Sequence, residues 1–542
     1  MTRRSKGLRI VSLALLLGAV ALIAALPSAA RDKTAAKTGQ SADTSTLSIS
    51  RTVDPAGLDP AEIVSTGGGG GVETFIASYE RLFNVTASGK ITPALATSWK
   101  VSKNGLDYTI ALRQGVTFHD GSPFTAAEVR FTWQRIMGIK GPAAQYWAPV
   151  KDVQVVSPYV VRIVLDKVDP TLIPTLAGER GSYMGPDQAC VKAHESKPGD
   201  WAIDYMATHE CGTGPYVLTS WQHGQELDFQ AFQGYWGGWK GRHVQAVIEK
   251  IVPEAGTQRL LLQNGQLDVL GDAPSSDVAK ALEKDSKISV ITSPTTTIDQ
   301  FTLNMNKKPT SDVRVRRAIA MALNYNNAIQ QAYRGWAKRV YGPIPSNLWP
   351  AVPKTWASSY TYDPAAAKKL LAEAGYPNGL TLNLSGMDTG TWKPLILSLQ
   401  SDLAKIGVKL NVNFMTWPVL FAQLQKPAGQ KPFDLAAYQM WAAIPDPSDI
   451  LMWWHTRAIT VINPGWGTKT TDNWLDTSLT TLSHAKRAAL YLKVIKQMEK
   501  DVPGIWIDQP QNIQVMRKAV GGYQYVPFYN GIVNPYQLYK TS

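Results

Sequence analysis

Cysteine is almost missing: Cys190 and Cys211 are the only two in 542 residues. That excludes a disulfide-framework fold and a cysteine-rich metal centre. There are seven histidines, and although His194 and His209 lie near the two cysteines, neither spacing forms a paired-ligand motif, so no metal and no cofactor is expected. Runs of one charge sign are missing as well. Lys and Arg are interspersed with Asp and Glu throughout, so the formal charge of +13 makes no stripe that would track a nucleic acid, and no nucleic-acid partner is expected. No G-x-S-x-G, H-E-x-x-H or P-loop occurs, and the five glycines Gly67 to Gly71, with no G-K-S/T after them, read as a flexible connection. No internal repeat is evident. Only one apolar run, Ile10 to Ala25, approaches the length of a membrane span.

That run follows Arg3, Arg4, Lys6 and Arg9 and precedes Ser28-Ala29-Ala30, which is the layout of a secretory signal over residues 1–30 with cleavage after Ala30. A retained anchor is the alternative, and the run is barely long enough for it. No cysteine lies near the cleavage region, so lipid attachment is not expected. Removing Met1 to Ala30 takes away four positive charges and no negative ones and leaves +9. Residues 31–46 are polar and aperiodic and read as a disordered tether. Export to the periplasm or cell surface favours a Cys190–Cys211 disulfide, which over a loop of this length stabilises by roughly 3 kcal/mol. Two free buried thiols are the alternative. The length calls for two or three domains.

The most ordered stretch is Pro93 to Trp133. Leu106, Tyr108, Ile110 and Leu112 alternate with polar or small residues, the period of a strand with one face on a core. Asn104-Gly105 and Asp120-Gly121 suit turns on either side. Thr125 and Glu128 have the spacing of a capping box, and Val129, Trp133 and Ile136 share a face of the helix that follows. Further along, Val153 to Val155 and Val161 to Leu165 read as a hairpin. Gly256 to Gly265 reads as a helix ending on a glycine, Asp312 to Ile329 as one helix, and Asp363 to Gly375 as a helix capped at both ends. A helix is also expected over Val72 to Leu82. Leu380 to Leu384 and Val408 to Phe414 flank the helix Pro394 to Ile406, an alternation that argues an α/β lobe with a largely parallel sheet.

Pro93, Leu95-Ala96, Ser98-Trp99, Asn104 to Leu106, Tyr108-Thr109 and Leu112 to Val129, with Gly212-Thr-Gly-Pro-Tyr216 and Leu262, Gly265 and Asp268, closely resemble the peptide-type solute-binding proteins of bacterial ABC importers, extracellular solute-binding family 5. The resemblance implies an α/β, two-lobed periplasmic-binding-protein fold with a hinge and an extra small domain inserted in the first lobe. Its expected segments are 47–75, 191–295 and 504–542 for the first lobe, 76–190 for the small domain and 296–503 for the second lobe. It also implies a monomer that binds a peptide or small molecule, docks on an ABC permease in the membrane, and is not an enzyme. Leu58-Asp59-Pro60 is expected near the cleft.

Candidate ligand residues lie in the second lobe. Trp441, Trp453, Trp454, Trp466 and Trp474 fall in a loop-rich segment where flat indoles can stack on a solute, and cleft lining is expected for at least one, with Trp441 and Trp453 preferred. Asp388, Trp392 and Trp417 follow or end strands, as does Asn383. The resembling peptide binders carry an aspartate three residues after the tryptophan of Met440-Trp441, pairing with the peptide ammonium. Here that place holds Ile444, and Asp446 comes two residues later. A buried ammonium without a counter-charge is costly, so either Asp446 serves or the solute is an oligosaccharide or another neutral molecule. His119-Asp120 suggests an acid–base pair only weakly, because adjacent strand residues face opposite ways. An exported hydrolase is the rival class.

Overall fold

Alternation along Asp107–Leu112 puts Tyr108, Ile110 and Leu112 in the core. The strand sits inside a four-stranded antiparallel sheet between Ala96–Val101 and Val160–Leu165, with Val150–Ser157 at the edge. Gly105 enters it at φ 75°, and the Asn104 side chain accepts from the Leu106 N–H. The helix Ala126–Ile139 closes over the sheet. Thr125 caps it by accepting from the Ala127 N–H, but the capping box does not close: Glu128 accepts from the Gln188 N–H instead, and burial pushes its carboxyl up to about 7.

The chain is described, as a computed structural model, over residues 44–62, 72–179, 181–356, 361–388, 390–457, 463–529 and 531–541. The expected signal peptide, all but the end of the expected tether, and the glycine run lie outside these residues. The tether reading ends too late, since Thr46 already pairs with Ala246 in a strand. Among the described residues no helix is long and apolar enough to cross a membrane.

The larger sheet explains the two lobes. In the first lobe its order runs Tyr216–Gln222, Glu226–Ala231, Ala246–Ile251, Thr46–Arg51 and Val269–Leu270. In the second it runs Thr297–Leu303, Leu435–Trp441, Leu380–Met387 and Val408–Met415, the last three mutually parallel. One long strand, Gly504–Arg517, belongs to both. Its start pairs with Thr297–Leu303 and its end with Ile288–Pro294. The buried apolar cluster of the small domain runs on into that of the second lobe, while the first-lobe sheet has a core of its own around Leu47, Ile49, Tyr216 and Phe229.

Two expected helices are shorter than their patterns. The first ends at Ser78, because Glu80–Arg81 pair with Tyr183–Met184 as a strand. Gly212 and Gly214 pass so close to this point that a Cβ on Gly212 would sit 1.8 Å from the Ser78 carbonyl oxygen and one on Gly214 2.5 Å from that of Ala77. The Gly-Thr-Gly-Pro-Tyr motif is therefore a close-approach device. The second splits into Val313–Ala322 and Tyr325–Tyr333, since the Asn324 N–H donates to Asp402 and its side chain caps the second piece. Cys190 and Cys211 are joined as a disulfide.

Asp59, expected near the cleft, is buried against Arg135 of the helix Ala126–Ile139, with both carboxylate oxygens accepting at 2.7 and 2.6 Å. Removing one partner of a buried pair strands the other charge. Asp59→Ala is expected to cost about 3 to 5 kcal/mol, read as a lowered midpoint in urea unfolding; a midpoint unchanged from wild type would contradict the pairing.

Candidate functional site

The strands Leu380–Met387, Val408–Met415 and Leu435–Trp441 are parallel, so their carboxyl ends share one edge of the second-lobe sheet. That edge carries Trp441, Asp388 and Trp417 in order away from the shared strand. Trp441 ends its strand opposite Thr297 and meets Trp453 edge to face, ring centres 6.0 Å apart. These two indoles, both half-buried, are the candidates the fold brings together.

The others separate. Trp417 opens the helix Trp417–Leu424, 40% exposed, against Phe421. Asp388 pairs with Lys393 at 3.0 Å in a half-exposed position. Trp392 is a correction: only 3% exposed, it points into the core from the helix Trp392–Ala404 and cannot reach a solute. Asn383 is turned to Asp434 and Asn411. Trp454 and Trp466 are buried and pack edge to face.

Asp446 is the second correction. Its carboxylate lies buried against the Arg487 guanidinium at 2.7 Å and also accepts from the Ser448 N–H and hydroxyl and from Tyr491. Arg487 is held further above its usual range: burial works against its charge, and Asp446 outweighs that. Asp446 thus fixes the loop rather than offering a counter-charge. His119 likewise serves structure, with Nδ1 on Glu210 at 2.8 Å and Nε2 on the Gly214 carbonyl at 2.9 Å, while Asp120 accepts from the Ser122 N–H.

Sequence reasoning missed the residues at the crossing between lobes. The Thr295 hydroxyl donates to the Pro510 carbonyl at 2.7 Å, and the Gln509 amide donates back to the Thr295 carbonyl. Thr296 donates to the Ala442 carbonyl at 2.7 Å, tying the crossing to the residue after Trp441. On the second-lobe side of the crossing, Asp299 and Asp508 face each other across the strands, fully buried, with the Tyr333 hydroxyl donating to Asp299 and the Arg339 guanidinium stacked on Tyr325 nearby. Burial pushes Asp299 up to about 7, and burial together with the Asp299 charge holds Asp508 well above the usual carboxylate range. No local pattern marks such a pair, because its partners are over two hundred residues apart.

The geometry defines a class: a two-lobed α/β protein whose lobes share one strand and are crossed twice, with paired indoles at the carboxyl edge of the second-lobe sheet. A profile of bacterial extracellular solute-binding proteins, family 5 (middle), matches residues 90–460, and the chain belongs to that family. It is 27% identical over 500 residues, covering 90% of this chain and 93% of the other, to the probable D,D-dipeptide-binding periplasmic protein DdpA of Escherichia coli K12. Its fold resembles HbpA2 from Haemophilus parasuis at a TM-score of 0.79 and 25% identity over 92% of this chain and 100% of that one. It also resembles the periplasmic binding protein DppA from Helicobacter pylori, solved with the peptide STSA, at a TM-score of 0.73 and 25% identity over 91% and 98% of the two chains.

The Asp299–Asp508 pair fixes a sign. Both carboxyls bind protons more tightly folded than unfolded, so their contribution to stability is full below the unfolded value of about 4 and is lost as pH rises, for Asp299 through about 7 and for Asp508 on passing its own raised value. Asp508→Asn should therefore gain on wild type between pH 5 and pH 8, by up to about 1.4 kcal/mol per pH unit for each proton involved. Urea unfolding at several pH values reads this; parallel curves would refute it.

Proposed function

We propose that this chain is the extracytoplasmic capture component of an ABC importer, taking a peptide or similar small solute between its lobes and presenting it to the membrane permease. The observation that carries the reading is the pair Trp441–Trp453 standing where the second-lobe sheet meets the crossing. Indoles there cover a solute with large, rigid surface at little entropic cost, and lobes joined by two crossings can close on it. The peptide class draws support from DdpA, described as binding a D,D-dipeptide, and from the Helicobacter DppA, solved with a peptide.

One observation favours a second reading. With Asp446 taken by Arg487 and Ile444 at the neighbouring turn, the turn after Trp441 offers an ammonium no free carboxylate among its described residues, and Asp388 on the same edge already pairs with Lys393. An oligosaccharide or other neutral solute needs only stacking and neutral hydrogen bonds. A hydrolase is separated from both by the fate of the solute.

The experiment is a thermal-shift screen with dipeptides, tripeptides, glutathione and short oligosaccharides, followed by recovery of any stabilising solute. A binder raises the melting temperature by mass action and returns the solute unchanged; turnover would sink the reading. For whichever solute binds, Trp441→Ala is expected to weaken affinity at least tenfold with little change in the melting temperature of the free protein. An unaltered affinity would place the site elsewhere.

A further inference from the structure

Arg81 lies in the short strand Glu80–Arg81, only 3% exposed, with its guanidinium between the rings of Tyr183 and Tyr529 at 4.0 and 4.1 Å. Nε donates to the Ser182 hydroxyl at 3.1 Å and Nη2 to the Tyr183 hydroxyl. Among the described residues Nη1 has no hydrogen-bond partner, and no carboxylate forms an ion pair with the group. Arginines buried to a similar degree are compensated differently. Arg51, Arg135 and Arg487 each meet a carboxylate, and Arg316 donates to the carbonyls of Thr310, Ser311, Asp501 and Val502. Arg81 has only hydroxyls and ring faces, which leave its charge unneutralised in a place where water does little to screen it.

The guanidinium lines a cavity of about 550 Å³, within the range of small-molecule sites, roughly 300–1,000 Å³. Its walls come from the small domain, from Pro215 and Tyr235 of the first lobe and from the C-terminal segment between Gln524 and Gln537; no described residue of the second lobe takes part. A second donor opens into the same space. The Tyr525 hydroxyl has no hydrogen-bond partner among the described residues, and burial holds its phenol above the usual range, so it stays a donor. The other hydroxyls of the wall are engaged: Tyr235 donates to Glu80, Tyr529 to Asn84 and Tyr536 to the Gly238 carbonyl, while Tyr79 accepts from the Cys211 N–H. Glu80, the one carboxylate among the described lining residues, is already matched. Trp236, Tyr235 and Thr213 donate to it, Arg113 stands over the Trp236 ring beside it, and burial pushes its carboxyl up to about 7.

We propose that this cavity is a second binding site, apart from the paired indoles, for a small molecule bearing a single carboxylate, which Arg81 neutralises and the Tyr525 hydroxyl holds in place. Guanidinium and carboxylate match in charge and in planar shape. A phosphate dianion would meet one cation and keep a charge in excess. The tyrosine rings of the wall cover the apolar body behind the carboxylate. The inference is independent of the capture reading: the walls carry no described second-lobe residue, so filling this site does not require the lobes to close.

The test is titration calorimetry of the full chain at low ionic strength, where screening is least, with benzoate, its neutral counterpart benzamide and inorganic phosphate as probes. Benzoate is expected to bind saturably and at least tenfold more tightly than benzamide or phosphate. Arg81→Gln is expected to weaken benzoate at least tenfold and Tyr525→Phe at least threefold, with Trp441→Ala unchanged. Absence of saturable benzoate binding, benzamide or phosphate binding as tightly, or wild-type affinity in either cavity variant overturns the proposal. So does a loss of benzoate affinity in Trp441→Ala, which would place the carboxylate at the indoles. If Arg81→Gln does not fold, Tyr525→Phe, which removes only a hydroxyl from the wall, carries the same expectation and the same refutation. The solute screen and this titration fail independently, since the first depends on Trp441 and the second on Arg81.

Discussion

Everything in this molecule hangs on one strand being shared. Gly504–Arg517 pairs with the second lobe at its start and the first lobe at its end, so the lobes are continuous through backbone hydrogen bonds rather than joined by a loose linker. Relative motion is then confined to the few residues around Thr295–Thr296 and Gln509–Gln511, where the ladder passes from one sheet to the other. Thr297–Leu303 is buried along its whole length, which keeps the second-lobe end of the hinge from shearing. A hinge of this kind bends; it does not slide.

Buried ion pairs keep the bending parts rigid. Asp59–Arg135 ties the chain leaving the first strand to the small-domain helix, Arg51–Glu249 joins neighbouring first-lobe strands at 2.7 Å, and Asp446–Arg487 fixes the turn after Trp441. Such pairs contribute little net stability once desolvation is counted, but breaking one is costly, so each specifies a geometry. The Asp299–Asp508 pair is different in kind. Two like groups buried side by side beside the hinge favour their protonated forms, and that makes this point of the sheet sensitive to pH.

The sequence was legible where the cause of structure is local. Period-two alternation placed Asp107–Leu112, and the strand–helix–strand run from Leu380 to Met415 gave the parallel lobe its pattern. Legibility failed where a partner far along the chain decides. The break at Leu323–Asn324 comes from Asp402, and the early end of the helix at Ser78 from Gly212. Among the candidate residues, Trp441 and Trp453 were visible as indoles in loop-rich sequence. Trp392 and Asp446 looked equivalent to them until the fold turned one into the core and set Arg487 against the other.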